Sequence, residues 1–338
     1  MGNQKSSPKS KTGKQKSRSK SVRAKPKPSK GCVKKKIDLA NWMGNLDDSK
    51  RDTSINFLAI PGSHDSMTYG ITRSSTISPD AEEIIVKLAK HLRPFVKLIM
   101  FNWSVTQGKN VTNQLKLGVR YLDLRIALKA SDHRNFYFVH GMYANKINGG
   151  LSDIVKFLNA HKKEIVILDF QHFYGLSYAD HERLVKLITE IFKDKLCPEQ
   201  SSVRSVTLNW MMENNYQVIA IYRAGFSRSS PLLWSSNLWP NPWPNTMNSS
   251  HLLQYLQDGL PTRNYNLGFV SQCVLTPQTS TVVMFPFNGV MSKCAKPVCK
   301  KIIPWIQEQS PPLNVAMADF VDMKNATLPM TVVSLNYC

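Results

Sequence analysis

The feature that most restricts the fold is a recurrence along the chain. Short runs rich in β-branched and aromatic residues alternate with longer runs of helical periodicity. Strands are expected at Phe57–Ile60, Arg120–Ile126, Phe136–His140, Ile165–Phe170, Gln217–Tyr222, Gly268–Leu275 and Asn314–Phe320, with a further one near Leu232–Trp234. Helices are expected at Asn41–Asp48, as a lead-in, and at Ala81–Ile99, Ser152–Lys162, Tyr178–Lys193, Ser249–Leu256 and Lys296–Gln307. Runs such as IVILDF and YFVHG are almost continuously apolar, as strands covered on both faces are. Seven or eight such units in about 300 residues point to an α/β fold, a distorted (β/α)8 TIM barrel of one domain over 37–338. The Trp/Pro-rich stretch LLWSSNLWPNPWPN (Leu232–Asn245) is expected to be a long loop, with Trp234, Trp239 and Trp243 available to a membrane interface or to packing.

A barrel of this kind carries its chemistry at the C-terminal ends of its strands. His64 and Asp65 follow the first strand, past a turn expected at Pro61–Gly62. Asp123 and Arg125 lie in RYLDLRI, His140 ends FYFVHG, and Asp319 closes the last strand in NVAMADFV. First and last strands are neighbours in a closed barrel, which brings Asp319 within reach of His64. Two histidines, a carboxylate to orient one of them and an arginine suit phosphoryl transfer: one imidazole takes a proton, the other gives one, and the guanidinium binds phosphate oxygens. Each residue alone also fits an ordinary role, His as a satisfied core residue and Asp123/Arg125 as a buried ion pair. Their shared position at strand ends favours a site.

The first 36 residues are different. They hold fourteen of the 44 Lys and Arg and no Asp or Glu, hence +14 of the formal +21. A segment so poor in large apolar residues is expected to be a disordered polybasic tail. It begins MGNQKS, which matches the N-myristoylation pattern at Gly2 with Ser6. One acyl chain binds membrane only marginally, and a polybasic run is the kind of second signal that completes an anchor. Cys32 is a further acylation candidate. The competing reading is a solvated tail with nuclear or nucleic-acid affinity, but no nucleic-acid-binding fold follows it, and no nucleic acid is expected as a partner. No apolar run is long enough to span a bilayer, no secretory leader is visible, and the six scattered Cys suggest free thiols. The expectation is a cytoplasmic monomer, peripheral on the inner face of the plasma membrane, with a nuclear location as the alternative.

Five blocks, AIPGSHDSM, LGVRYLDLRI, FYFVHGMY, EIVILDFQHFYG and ADFV, occur in this order. Together they resemble the phosphatidylinositol-specific phospholipase C X-domain-containing proteins, short animal relatives of the bacterial enzymes. The resemblance implies a distorted TIM barrel that cleaves phosphatidylinositol-type lipids at an anionic membrane surface. It implies His64 as the general base for the inositol 2-hydroxyl, His140 as the acid for the diacylglycerol oxygen, and Asp319 as the carboxylate orienting the base. It implies Asp65 as the support of the acid and Arg125 as the phosphate contact. The large eukaryotic relatives place calcium ligands where this chain has Arg125, Asp65 and Gln171, which implies no metal and no other cofactor. Gln171 and Arg223, at strand ends, and Asp123 are the candidate substrate contacts, and Gln171 departs from the bacterial Lys. Two alternatives stand beside this reading. One is a weak or inactive inositol-lipid-binding scaffold. The other is a barrel phosphodiesterase acting on glycerophosphodiesters, disfavoured because Asp123-x-Arg125 replaces a metal-binding carboxylate pair.

Overall fold

In the computed structural model, which describes residues 37–81, 93–225, 230–309 and 313–337, the apolar runs become the staves of a parallel barrel. The basic tail with Gly2 and Cys32, and most of the first half of the expected helix Ala81–Ile99, lie outside the described residues. The strands are β1 Ile60–Ser63, β2 Tyr121–Lys129, β3 Asp132–His140, β4 Met142–Lys146, β5 Val166–Tyr174, β6 Val218–Tyr222, β7 Trp234–Ser235, β8 Val270–Gln272 and β9 Val315–Ala318. Seven of them run parallel in the order β7-β6-β5-β2-β1-β9-β8, so first and last strands are neighbours as expected. The seam between β7 and β8 is spanned by hydrogen bonds from Gly268 N to Leu238 O (2.9 Å) and from Val270 N to Pro240 O (3.0 Å). Prolines 240, 242 and 244 lack N–H donors, which accounts for single bonds rather than a ladder here. This seam is the distortion of the barrel.

Alternation along each strand divides the cores. On β5, Val166 and Leu168 face the helices Ile147–Ala160 and Tyr178–Phe192, while Ile167 joins the interior with Tyr121, Ile219, Ile221, Trp234 and Met317. Both faces are buried, which is why these strands show no polar alternation in sequence. Helices Ser249–Thr262 and Lys296–Gln307 cover the side made by β8 and β9. The base is closed by the lead-in residues. The Trp42 indole donates to Gly118 O (2.9 Å), and the buried Arg120 pairs with Glu164 at 2.6 Å. Glu164 in turn accepts from the backbone N–H of Met43 and Gly44.

Four expectations need correction. The first strand is not Phe57–Ile60 before a turn: Ile55–Phe57 is a 3-10 turn, and Pro61–Gly62 lies within β1. Pro61 is tolerated because pairing with β2 begins only at Gly62, so its missing N–H costs no ladder bond. Gly62 is needed because a Cβ there would sit 3.0 Å from the Tyr121 ring and 3.2 Å from Met317 Cα. Phe136–His140 is not a stave. It belongs to β3, which pairs antiparallel with the long β2 and is followed by β4. The lead-in Asn41–Asp48 is mainly turns, with a 3-10 turn at Leu39–Asn41 and a short helix at Asp48–Arg51. The Trp/Pro-rich stretch is not all loop: it contains β7, at the further strand expected near Leu232–Trp234, and a 3-10 turn at Ser236–Leu238, and of its tryptophans Trp234 and Trp239 are packed and fully buried while Trp243 is exposed. Trp239 lies so close over Gly268 that a Cβ there would come 2.1 Å from its ring.

Candidate active site

The site is assembled from the ends of β1, β2, β3 and β9. His64 N continues the β1–β9 ladder by donating to Ala318 O (3.0 Å). The next residue, Asp65, adopts φ 42°, a left-handed conformation that Asp tolerates better than most residues. That twist sends successive side chains, His64 and Asp65, into the same mouth. Asp123 and Arg125, two apart on β2, face the same way. Opposite them β5 carries one extra residue: Leu124 pairs with Phe170 and Arg125 with His172, leaving Gln171 as a bulge. Gln171 and His172 consequently both line the cavity. The extension of β2 beyond the barrel turns back as β3, whose last residue, His140, returns to the mouth.

The two imidazoles are oriented through their Nδ1 atoms. His64 Nδ1 is 2.8 Å from Asp319 Oδ1, and His140 Nδ1 is 2.8 Å from Ser104 O. Carboxylate and carbonyl oxygens only accept, so each Nδ1 carries the hydrogen and each Nε2 is left for chemistry. Both Nε2 atoms approach one oxygen, Asp65 Oδ2, at 3.3 Å from His64 and 3.2 Å from His140. Ring centroids are 6.2 Å apart. Arg125 completes the cluster: its Nε lies 2.5 Å from Asp65 Oδ1, and its Nη2 lies 3.3 Å from His64 Nε2 and 4.0 Å from Asp123 Oδ2. The open cavity above this cluster measures about 560 Å³.

Charge follows from this packing. Burial disfavours the charged form of His64, but Asp65, Asp319 and Asp123 outweigh it and raise its pKa to about 9. Burial likewise works against the Asp65 carboxylate, yet Arg125, His140 and His64 lower its pKa to about 2. Asp123 is pushed up to about 6 by burial and by neighbouring Asp65. The guanidinium of Arg125, held between two carboxylates against the cost of burial, is driven further above its ordinary range.

A segment not anticipated from sequence braces the site. Ser104 O holds His140, Thr106 Oγ1 donates to His64 O (3.0 Å), and Gln107 Nε2 donates to both His64 O and Ala318 O (3.0 Å each). Gly141, at φ 66°, allows this approach, since a Cβ would sit 2.7 Å from Ser104 Oγ. Asp80 Oδ2 accepts from Gly141 N at 2.7 Å. SVTQG carries no periodic signal, and its role rests on contacts more than 30 residues away in sequence.

Arg223 stands apart from the cavity wall. It pairs with the buried Asp169 (Nη2–Oδ2 2.7 Å) and donates to Trp239 O (2.8 Å). Tyr121 hydroxyl also donates to Asp169, so these groups form a closed network beneath the mouth. As for a metal, His64, Asp65 and Asp123 offer donor atoms within 4.8 Å of one another. Calcium takes six to eight oxygens. Here two carboxylates share the space with a fixed guanidinium, a poor match to that demand.

The fold is that of the bacterial phosphatidylinositol-specific phospholipases C. The enzyme of Listeria monocytogenes superposes with a TM-score of 0.59 at 18% identity, over 88% of this chain and 99% of that one. A pentafluoro-Phe form of the Staphylococcus aureus enzyme gives 0.62 at 16% identity, over 87% and 97%. At the level of sequence, residues 98–219 match the family model "Phosphatidylinositol-specific phospholipase C, X domain". PI-PLC X domain-containing protein 3 of Homo sapiens is 37% identical over 90% of this chain and 95% of its own length. Protein 2 of Mus musculus is 36% identical over 92% of each. The chain belongs to the PI-PLC X domain-containing proteins, a phospholipase C-like family.

Proposed function

We propose that this protein cleaves the phosphodiester of phosphatidylinositol-type lipids. The observation that carries the reading is the convergence of His64 Nε2 and His140 Nε2 on Asp65 Oδ2 beside Arg125, with each Nδ1 tied back. His64 Nε2 accepts the proton of the inositol 2-hydroxyl, whose oxygen forms a bond to phosphorus. The bond from phosphorus to the diacylglycerol oxygen breaks, and that oxygen takes a proton from His140 Nε2. The products are diacylglycerol and a cyclic inositol phosphate. Arg125 binds the phosphate oxygens and offsets the charge that builds on them. Asp65 supports the His140 imidazolium, and Asp319 holds the His64 tautomer. Because Arg125 already supplies a positive charge between the carboxylates, the reaction runs without a metal ion. Gln171 and Asp123 face the headgroup.

The substrate is reached from a membrane. Trp243 and Val282 line the cavity, and Trp243, Val283, Met284 and Phe287 are exposed. This apolar rim enters the lipid surface, while the basic tail, myristoylated at Gly2, holds the chain on an anionic cytoplasmic leaflet. Among the described residues no helix is long and apolar enough to cross a membrane.

The test uses vesicles of labelled phosphatidylinositol and measures release of water-soluble label by wild type, His64→Ala and His140→Ala. Release by wild type with a loss of about 10²–10⁴-fold in each variant is expected. Equal behaviour of all three, with lipid binding retained, supports the scaffold alternative instead.

A further inference from the structure

On the outer wall of the barrel, away from the histidines, lies a second cavity of about 460 Å³. It sits where the last turns of helix Ser249–Thr262 meet β8, and its walls include Tyr255, Leu256, Leu260 and Phe269. Of its polar lining residues, Asp258 and Thr262 are exposed and Arg263, Ser271 and Gln272 are buried; the Asp258 carboxylate accepts from Gln254 Nε2 (2.8 Å). Arg263 is 5% exposed and Ser271 1% exposed. The Arg263 guanidinium uses one nitrogen, Nη2, to donate to Asn56 O (2.9 Å). Its Nε and Nη1, and the Ser271 hydroxyl, are buried without a hydrogen-bond partner among the described residues. Nor does Arg263 form an ion pair with any described carboxylate; beside it lie the Tyr265 side chain, which also interacts with the guanidinium through its hydroxyl, and the Phe57 ring, with ring centroids at 4.7 and 6.0 Å. The buried Arg120 and the part-buried Arg125 and Arg223 are each paired with a carboxylate.

Burying a charge without a partner is costly, and such a group is normally matched by an anion. We propose that this cavity is a binding site for one small anionic amphiphile. Arg263 and Ser271 bind the oxyanion head, and the apolar walls hold a short hydrocarbon body. The volume falls within the range of small-ligand sites. Gln272 gives the site a connection to the mouth, because it lines both cavities and donates to Asn241 Oδ1 (2.7 Å) at the rim.

The experiment titrates octanoate and octyl phosphate, with octanol as the neutral control, into the full chain carrying Arg125→Met, which removes phosphate binding at the histidine site. Calorimetry gives stoichiometry, and the Arg263 Nε–H resonance reports the site directly. The expected result is one-to-one binding of at least one charged probe, a shift of the Arg263 resonance, and at least tenfold weaker binding in Ser271→Ala and Arg263→Gln. The Arg263 resonance in the otherwise unchanged site keeps the test decisive should Arg263→Gln fail to fold. The proposal is overturned if neither charged probe binds, if octanol binds as tightly, or if binding leaves the Arg263 resonance unmoved.

Discussion

Replacing Asp319 with Asn changes one charge and almost no volume, and its effect on His64 can be worked out beforehand. Holding the imidazole at about 9 rather than 6.5 favours imidazolium by about 3 kcal/mol. Asp65 and Asp319 are the leading carboxylates in that balance, and Asp319 adds the 2.8 Å hydrogen bond, while burial opposes them. Losing this charge and hydrogen bond should lower the His64 midpoint by about one, a change of about 1 kcal/mol. The folded-state pKa of His64 lies above its unfolded value. The stabilisation it brings is therefore complete below about pH 6.5 and lost as pH rises through about 9. Asp319→Asn should accordingly destabilise the protein more at pH 6 than at pH 10, by about 1 kcal/mol. Imidazole proton resonances give the midpoint, and urea unfolding at the two pH values gives the difference. A wild-type His64 titrating near 6.5, or a midpoint unmoved by Asp319→Asn, would refute the electrostatic account.

Four other outcomes are expected. With its pKa raised to about 9, His64 is mostly protonated at pH 7 before substrate binds, so kcat/KM should rise with pH up to a bend near 9, seen in a pH–rate profile. Arg125→Lys keeps a charge but loses the planar fork, and phosphatidylinositol cleavage should fall by about 10²–10³ in kcat, the range for losing one fixed charge stabiliser. Chelator should leave vesicle turnover unchanged, and a loss restored by added calcium would remove Arg125 from its assigned role. Arg120→Met strands the buried Glu164 carboxylate and should cost about 3–5 kcal/mol in urea unfolding, with the His64 titration preserved.

The barrel was open to inference because its staves are buried on both faces, leaving apolar runs such as Val166–Phe170 with no competing pattern. His64, Asp65, Arg125 and Asp319 converge because strand ends converge, a property of the fold class rather than of local sequence, whereas His140 joins them from the antiparallel arm β3. What escaped were features set by tertiary contact. Pro61–Gly62 looked like a turn, since nothing local shows that Gly62 is wedged between Tyr121 and Met317. FYFVHG has the composition of a stave, and only its antiparallel pairing with β2 makes it a returning arm. Arg223 ends a strand as expected, but its partner Asp169 lies 54 residues away, and that pair decides where the guanidinium sits. The bracing Thr106 and Gln107 act through the carbonyl of His64, which no motif encodes.

The central claim is that His64 and His140 work as a base–acid pair on one phosphodiester, with the inositol 2-hydroxyl as the attacking group. Phosphorus NMR of phosphatidylinositol vesicles incubated with the protein tests it most directly. A five-membered cyclic phosphodiester should appear first, before any monoester, and should be absent with His64→Ala. A monoester formed directly from the lipid, or the same cyclic product at the same rate from His64→Ala, would contradict it.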